Sequence, residues 1–149
     1  MIKSKLIRIA RNIIDETGTA VLATVAKDAE PRMRWMSPVF LRGYEDYIYA
    51  VTSARFNKTV DLQKHSDVQW MIQTASLSRI ITLNGKMHVV ENMSLKNEIL
   101  EELGVRLRTF WTVNGDPSSL VVLETEILSG LLFSPVEGTK ELVSFKKEA

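Results

Sequence analysis

The sequence has no cysteine, so disulfide staples, thiolate metal sites and a cysteine nucleophile are all excluded. Histidine is nearly as scarce: only His65 and His88 occur, and neither has carboxylates spaced to complete a metal set. Both are expected at the surface or at a strand edge. Charge of one sign is lacking too. The formal net charge is +1 and the basic residues are scattered, so nothing in the bulk field favours nucleic acid or an anionic membrane. No apolar run approaches the ~20 residues that span a bilayer. The stretch from Met1 to Arg11 is charged every few residues and lacks the apolar centre of a signal peptide. The expectation is one cytoplasmic domain over residues 1–149. There is no Gly-rich dinucleotide loop and no Walker motif. Nothing has the arrangement of a protein nucleophile or general base, and Glu101-Glu102 and Glu124 to Glu126 read as solvated faces. Any redox chemistry would belong to a cofactor.

What is present is an ordinary globular composition, 45% hydrophobic and 25% charged over 149 residues, enough for a core without staples. Ile2, Leu6, Ile9 and Ile13 recur at helical spacing, and Gly18 supplies the stop. Three β-rich runs follow, at Thr19–Ala26, Arg32–Leu41 and Tyr47–Ser53, separated by short polar turns that make neighbours antiparallel. A short helix is expected over Asn57–His65. The alternation Val68–Gln73 predicts a fourth strand, and Arg79–Val90 a fifth or a bent hairpin broken at Asn84-Gly85. Ser94 is placed to cap a helix through Leu103 that ends at Gly104, with a second short helix around Val105–Thr112. Leu120–Ile127 predicts a sixth strand, and Leu131–Ser134 with Leu142–Phe145 a last hairpin. Trp70 and Met71 read as core or as an interface between copies. The pattern is a small α+β barrel with helices at its ends.

Two stretches carry chemistry. From Val51 to Thr59, a strand ends in Thr52 and Ser53, and a helix is predicted to start near Asn57 with Lys58 in its first turn. Unpaired helix N–H groups, a lysine and the hydroxyls of Thr52, Ser53 and Thr59 would make a monophosphate cradle. The plainer alternative is a capped turn beside a solvated lysine. In Pro31–Pro38, alternation puts Arg32, Arg34 and Met36 on one side of a strand, and Met33, Trp35 and Ser37 on the other. Two arginines beside Trp35 and Met36 suit a planar anionic ligand lying along the strand. The plainer alternative has the arginines in solvent and Trp35 in the core.

Taken in order, Pro-x-x-Arg-x-Met, Val-Thr-Ser, a four-residue gap and Lys before Asp-Leu resemble the pyridoxamine-phosphate-oxidase-like FMN-binding split barrels, and within them the general-stress-protein-26 branch. The paired runs Met36–Phe40 and Lys58–Leu62 carry the resemblance, which spans about Leu22 to Val90 and continues weakly through Phe110-Trp111 and Asp116-Pro117. It implies a six-stranded antiparallel split β-barrel with flanking helices. It implies FMN held by Arg34, Trp35 and Met36 along its ring and ribityl chain, and by Thr52, Ser53, Asn57 and Lys58 at its phosphate, beside the Thr59 hydroxyl of the cradle. It also implies a homodimer with the flavin at the interface, closed from the other chain by Arg79 and Trp111. The first expectation for function is then a flavoprotein that passes electrons from a reduced nicotinamide to a small acceptor. The other outcomes left open are a non-enzymatic flavin-binding or stress-response protein, and a split barrel that takes another planar anion such as haem or a deazaflavin.

The departures count as well. Phe56 and Asn57 stand where relatives often place Arg or Ser, and Gly130-Leu131-Leu132-Phe133 where many carry a Tyr-Trp pair. No Arg follows Arg108 and no His follows His88, so the substrate-phosphate site of the genuine oxidases is missing. Turnover of pyridoxamine phosphate is not expected.

Overall fold

The computed structural model describes residues 1–53, 62, 64–104 and 119–146. The elements are α1 (Lys3–Thr17), β1 (Ala20–Val25), β2 (Pro31–Met36), β3 (Tyr47–Ser53), β4 (Asp67–Gln73), β5 (Ile80–Val90), α2 (Met93–Leu103), β6 (Leu120–Ser134) and β7 (Thr139–Ser144). All strands lie in one antiparallel sheet of order β2-β1-β4-β5-β6-β3, with β7 added on β6. The end strands β2 and β3 share no ladder among the described residues, so the sheet stays open. Yet Met36 of β2 and Ile48 and Ala50 of β3 enter one hydrophobic cluster with Leu22, Trp70, Ile81 and Leu83. The sheet therefore wraps one core without closing, a mainly β split barrel with two helices among the described residues.

Helix α1 packs into that core through Leu6, Ile7, Ala10, Ile13 and Ile14. The buried stripe is rotated from the one expected, and Ile2 is the exposed N-cap rather than a core residue. Gly18 ends the helix at φ 78°, with its N–H on the Ile14 carbonyl at 2.7 Å. A side chain is strained at that φ, so a glycine is favoured there. Helix α2 covers the other side of β3 and β6, where Ile99 and Leu103 meet Val39, Leu41, Tyr49, Val51, Leu120 and Val122. Its N-cap is Asn92, whose Oδ1 accepts from the Leu95 N–H at 3.0 Å, two residues before the expected Ser94. The predicted second helix at 105–112, and most of the one at 57–65, lie outside the described residues.

Strand β2 ends at Met36, short of Leu41, because Pro38 cannot donate to a ladder. Val39 then bridges back to Tyr49 with N–H···O distances of 2.8 and 3.0 Å. The Asn84-Gly85 signal marks no turn. Strand β5 runs straight through it, and β6 bulges opposite: Asn84 faces Ser129, Gly85 faces Ile127, and Leu128 is the extra residue. A Cβ on Gly85 would run into the Glu126 carbonyl and the Thr125 methyl, so close approach of backbone is what selects glycine. Beyond the bulge β6 continues to Ser134, one strand where a strand and half a hairpin were expected. Trp70 is core, fully buried, with its indole N–H on the Thr125 hydroxyl at 3.1 Å. Among the described residues no helix is long and apolar enough to cross a membrane.

Candidate functional site

Strand register decides which side chains can share a site. In β1, Ala20, Leu22 and Thr24 point into the barrel, and their cross-strand partners on β2 are Met36, Arg34 and Arg32. Directly opposite residues of an antiparallel pair lie on one face. The two arginines and Met36 are thus on the inner face, and Met33 and Trp35 face outward, 74% and 47% exposed. This corrects the core tryptophan of the plainer alternative, and of its solvent-facing arginines Arg32 is exposed while Arg34 is half-buried. Met36 is core at 6% exposure, which leaves chiefly its backbone for a ligand.

The two arginines have different roles. Arg32 is tied to the β1–β2 turn, with Nη2 on Asp28 at 3.1 Å and Nη1 on Glu30 at 3.3 Å. The Glu30 N–H, and then the charge of Arg32, hold the Asp28 carboxyl below its usual range. Arg34 is half-buried, and its Nη2 donates to the hydroxyl of Thr24 at 3.1 Å. Burial, and then the nearby charge of Arg32, hold its guanidinium below the usual arginine range. A partly desolvated cation on an inner face suits an anionic or acceptor-rich ligand. Thr24 was not singled out from the sequence. Its signal was a polar residue at an inward position of an otherwise apolar Ala20–Leu22–Thr24 stripe.

At the other end strand, Thr52 lies opposite Val121 and shares the inner face with Ile48 and Ala50. Ser53 lies opposite Leu120, on the side of Tyr49 and Val51. Regular alternation therefore splits the two hydroxyls that the cradle takes together. Asn57, Lys58, Thr59 and Trp111 lie outside the described residues. Arg79 is exposed at the foot of the β4–β5 hairpin, where its carbonyl accepts from the Thr74 N–H at 3.1 Å. It precedes Ile80, which pairs with Phe133, whereas Thr52 and Ser53 pair with Val121 and Leu120. About a dozen residues of β6, roughly 40 Å of strand, separate the two places. One chain does not bring Arg79 to the hydroxyls at the end of β3.

Neither histidine joins this face. His88 is exposed on β5, and His65 is half-buried with Nε2 unpartnered. Glu124 is not a free solvated carboxylate, since it accepts from the Tyr49 hydroxyl at 3.0 Å. No group of three histidine or acidic side chains among the described residues could hold a metal. Two cavities among them, of about 460 and 290 Å³, sit elsewhere: one beside Asp46, Tyr47 and Glu126, the other at the start of α2 beside Lys96. None of the described residues proposed for a ligand lines either.

The family model for pyridoxamine 5′-phosphate oxidase matches residues 8–128, and the chain belongs to that family. Among solved structures, a Clostridium acetobutylicum protein related to general stress protein 26 superposes with a TM-score of 0.69 at 12% identity, covering 95% of each chain. General stress protein 26 from Bacillus anthracis gives 0.67 at 18% identity, over 91% of this chain and 97% of that one. A haem-binding protein from Mycobacterium smegmatis gives 0.66 at 16% identity, over 93% of this chain and 57% of that one. At such identities these likenesses establish the fold. No curated protein matches the sequence.

Proposed function

We propose that this chain is an FMN-binding flavoprotein of the pyridoxamine 5′-phosphate oxidase family, working in the cytoplasm and passing electrons from a reduced nicotinamide to a small acceptor. The observation that carries the reading is Arg34, a half-buried cation held by Thr24 on the inner face, with Thr52 inward on the other end strand. FMN fits these groups, because its ring edge and phosphate offer the acceptors that a guanidinium and hydroxyls seek. Bound flavin supplies the redox chemistry, and the chain binds and orients it. Lys58, Asn57 and Thr59 would complete the phosphate end.

The same proposal includes a second copy. Along the outer face, one row crosses the sheet as Trp35, Val21, Met71, Thr82, Leu131 and Leu142, and the next as Met33, Ala23, Gln69, Asn84, Ser129 and Ser144. No position in either row is charged, in a chain that is 25% charged. Gln69 donates to Asn84 at 2.8 Å and Asn84 to Ser129 at 3.2 Å, a neutral ladder beside exposed Trp, Met and Leu. Such a face suits a protein interface. Two copies meeting through it incur no like-charge repulsion, and its amides and hydroxyls both donate and accept, so it can pair with itself. Trp35 then serves the contact between copies, and Arg79 reaches a shared site only from the partner.

The haem-binding neighbour supports one rival ligand. The absorption spectrum of the purified protein, as isolated and after incubation with FMN or haemin, separates the two. Flavin bands retained through gel filtration support the reading. A Soret band retained in their place would replace it.

A further inference from the structure

Thr24 is 2% exposed, one of three buried polar side chains among the described residues. Valine has the same shape and is preferred in strands. A hydroxyl at this inner position is tolerated because it is bonded. In the second case, Thr125, the bond ties two core strands through Trp70. The Thr24 bond instead goes outward, to the guanidinium of an edge strand. It is also diagonal. Thr24 lies directly opposite Arg32, and Arg34 directly opposite Leu22, so Arg34 must lean by two residues to reach it. Strands β1 and β3 run in the same direction through the alternating sheet, and by register the row of Thr24 reaches β3 near its start, so the Thr52–Ser53 end of β3 lies farther along that same direction. The lean of Arg34 is toward that end. A guanidinium is a rigid planar fork, and fixing one N–H restricts the whole plane. The neighbouring cation, Arg32, is anchored away on Asp28 and Glu30.

We infer that Thr24 is a positioning residue: it holds the Arg34 fork toward the Thr52–Ser53 end of the inner face, so that the site selects ligands bearing an oxygen-acceptor or anionic edge there. The inference rests on the flavin reading for the identity of the ligand, but not for the orientation of Arg34. It is tested with the full chain by fluorescence titration of FMN into the parent protein and into R34A, T24V, T24S and the double variant R34A/T24V, with thermal melts alongside. R34A is expected to weaken FMN about tenfold and T24V about three- to tenfold. T24S should match the parent, and the double variant should be no weaker than R34A alone. Melting of T24V should stay near the parent value, which separates aiming from folding. Weakening by R34A with parent-like binding by T24V overturns the inference and leaves the flavin reading standing. Indifference to R34A overturns both. If no variant binds FMN the flavin reading fails, and crystal structures of the parent and T24V then decide. An Arg34 fork displaced in T24V upholds the positioning role, and an unmoved one ends it.

Discussion

The outer face of the sheet divides into two regions that solve exposure differently. Toward β3, the rows read Asp67–Lys86–Glu126–Tyr47 and His88–Glu124–Tyr49, and α2 covers the apolar positions beyond them. Lys86 pairs with Asp67, and Tyr49 with Glu124. Toward β2, two successive rows carry no charge and no helix among the described residues lies over them, although Met33, Trp35 and Leu142 stand exposed. The first region is finished within one chain. The second has the composition of a surface that is finished by another. In the proposed dimer the partner copy would sit on the second region, with Trp35 at that contact rather than in the core.

The sharpest way to break the comparison sets the two tryptophans against each other. Trp70→Ala removes a fully buried ring and strands the Thr125 hydroxyl, so it should lower unfolding free energy by about 3–5 kcal/mol in urea denaturation. Trp35→Ala should change the stability of the separated chain by no more than about 0.5 kcal/mol. Equal losses would place both rings in one core. Next in size, Trp35→Glu puts a charge on the neutral face and should convert a dimer to monomers at micromolar concentration by light scattering. His88→Glu, on the finished region, should leave the mass unchanged. A mass indifferent to Trp35→Glu would move the interface.

The smallest effect concerns the finished region. Burial first, and then the bond to Glu124, push the Tyr49 phenol far above its usual range. A group with a raised folded pKa contributes stability that is complete below its unfolded pKa, about 10, and lost as pH climbs above it. Stability should therefore fall above about pH 10, and Tyr49→Phe should flatten that fall while costing about 0.5–1.5 kcal/mol at neutral pH. An alkaline limb unchanged in Tyr49→Phe would assign it to other groups.

Period-two alternation was enough to sort Arg32, Arg34 and Met36 from Met33 and Trp35, because strand geometry is local. Which set faces inward was not legible, since both sets contain apolar residues and only the register with Ala20, Leu22 and Thr24 decides it. Asn84-Gly85 misled for a related reason: a glycine required by the Glu126 backbone across the strand has the same letter as one required by a turn. The Thr52–Ser53 pair looked like two donors for one phosphate, whereas the ladder to Val121 and Leu120 gives them opposite faces. Thr24 stayed hidden because the bond that gives it meaning crosses to another strand.

In the proposed site the inner face holds a flavin by its phosphate as well as by its ring. Parallel fluorescence titrations of the protein with FMN and with riboflavin test it most directly, since the two ligands differ only in that group. FMN should bind at least tenfold tighter, a difference of about 1.4 kcal/mol or more. Equal affinities would contradict it.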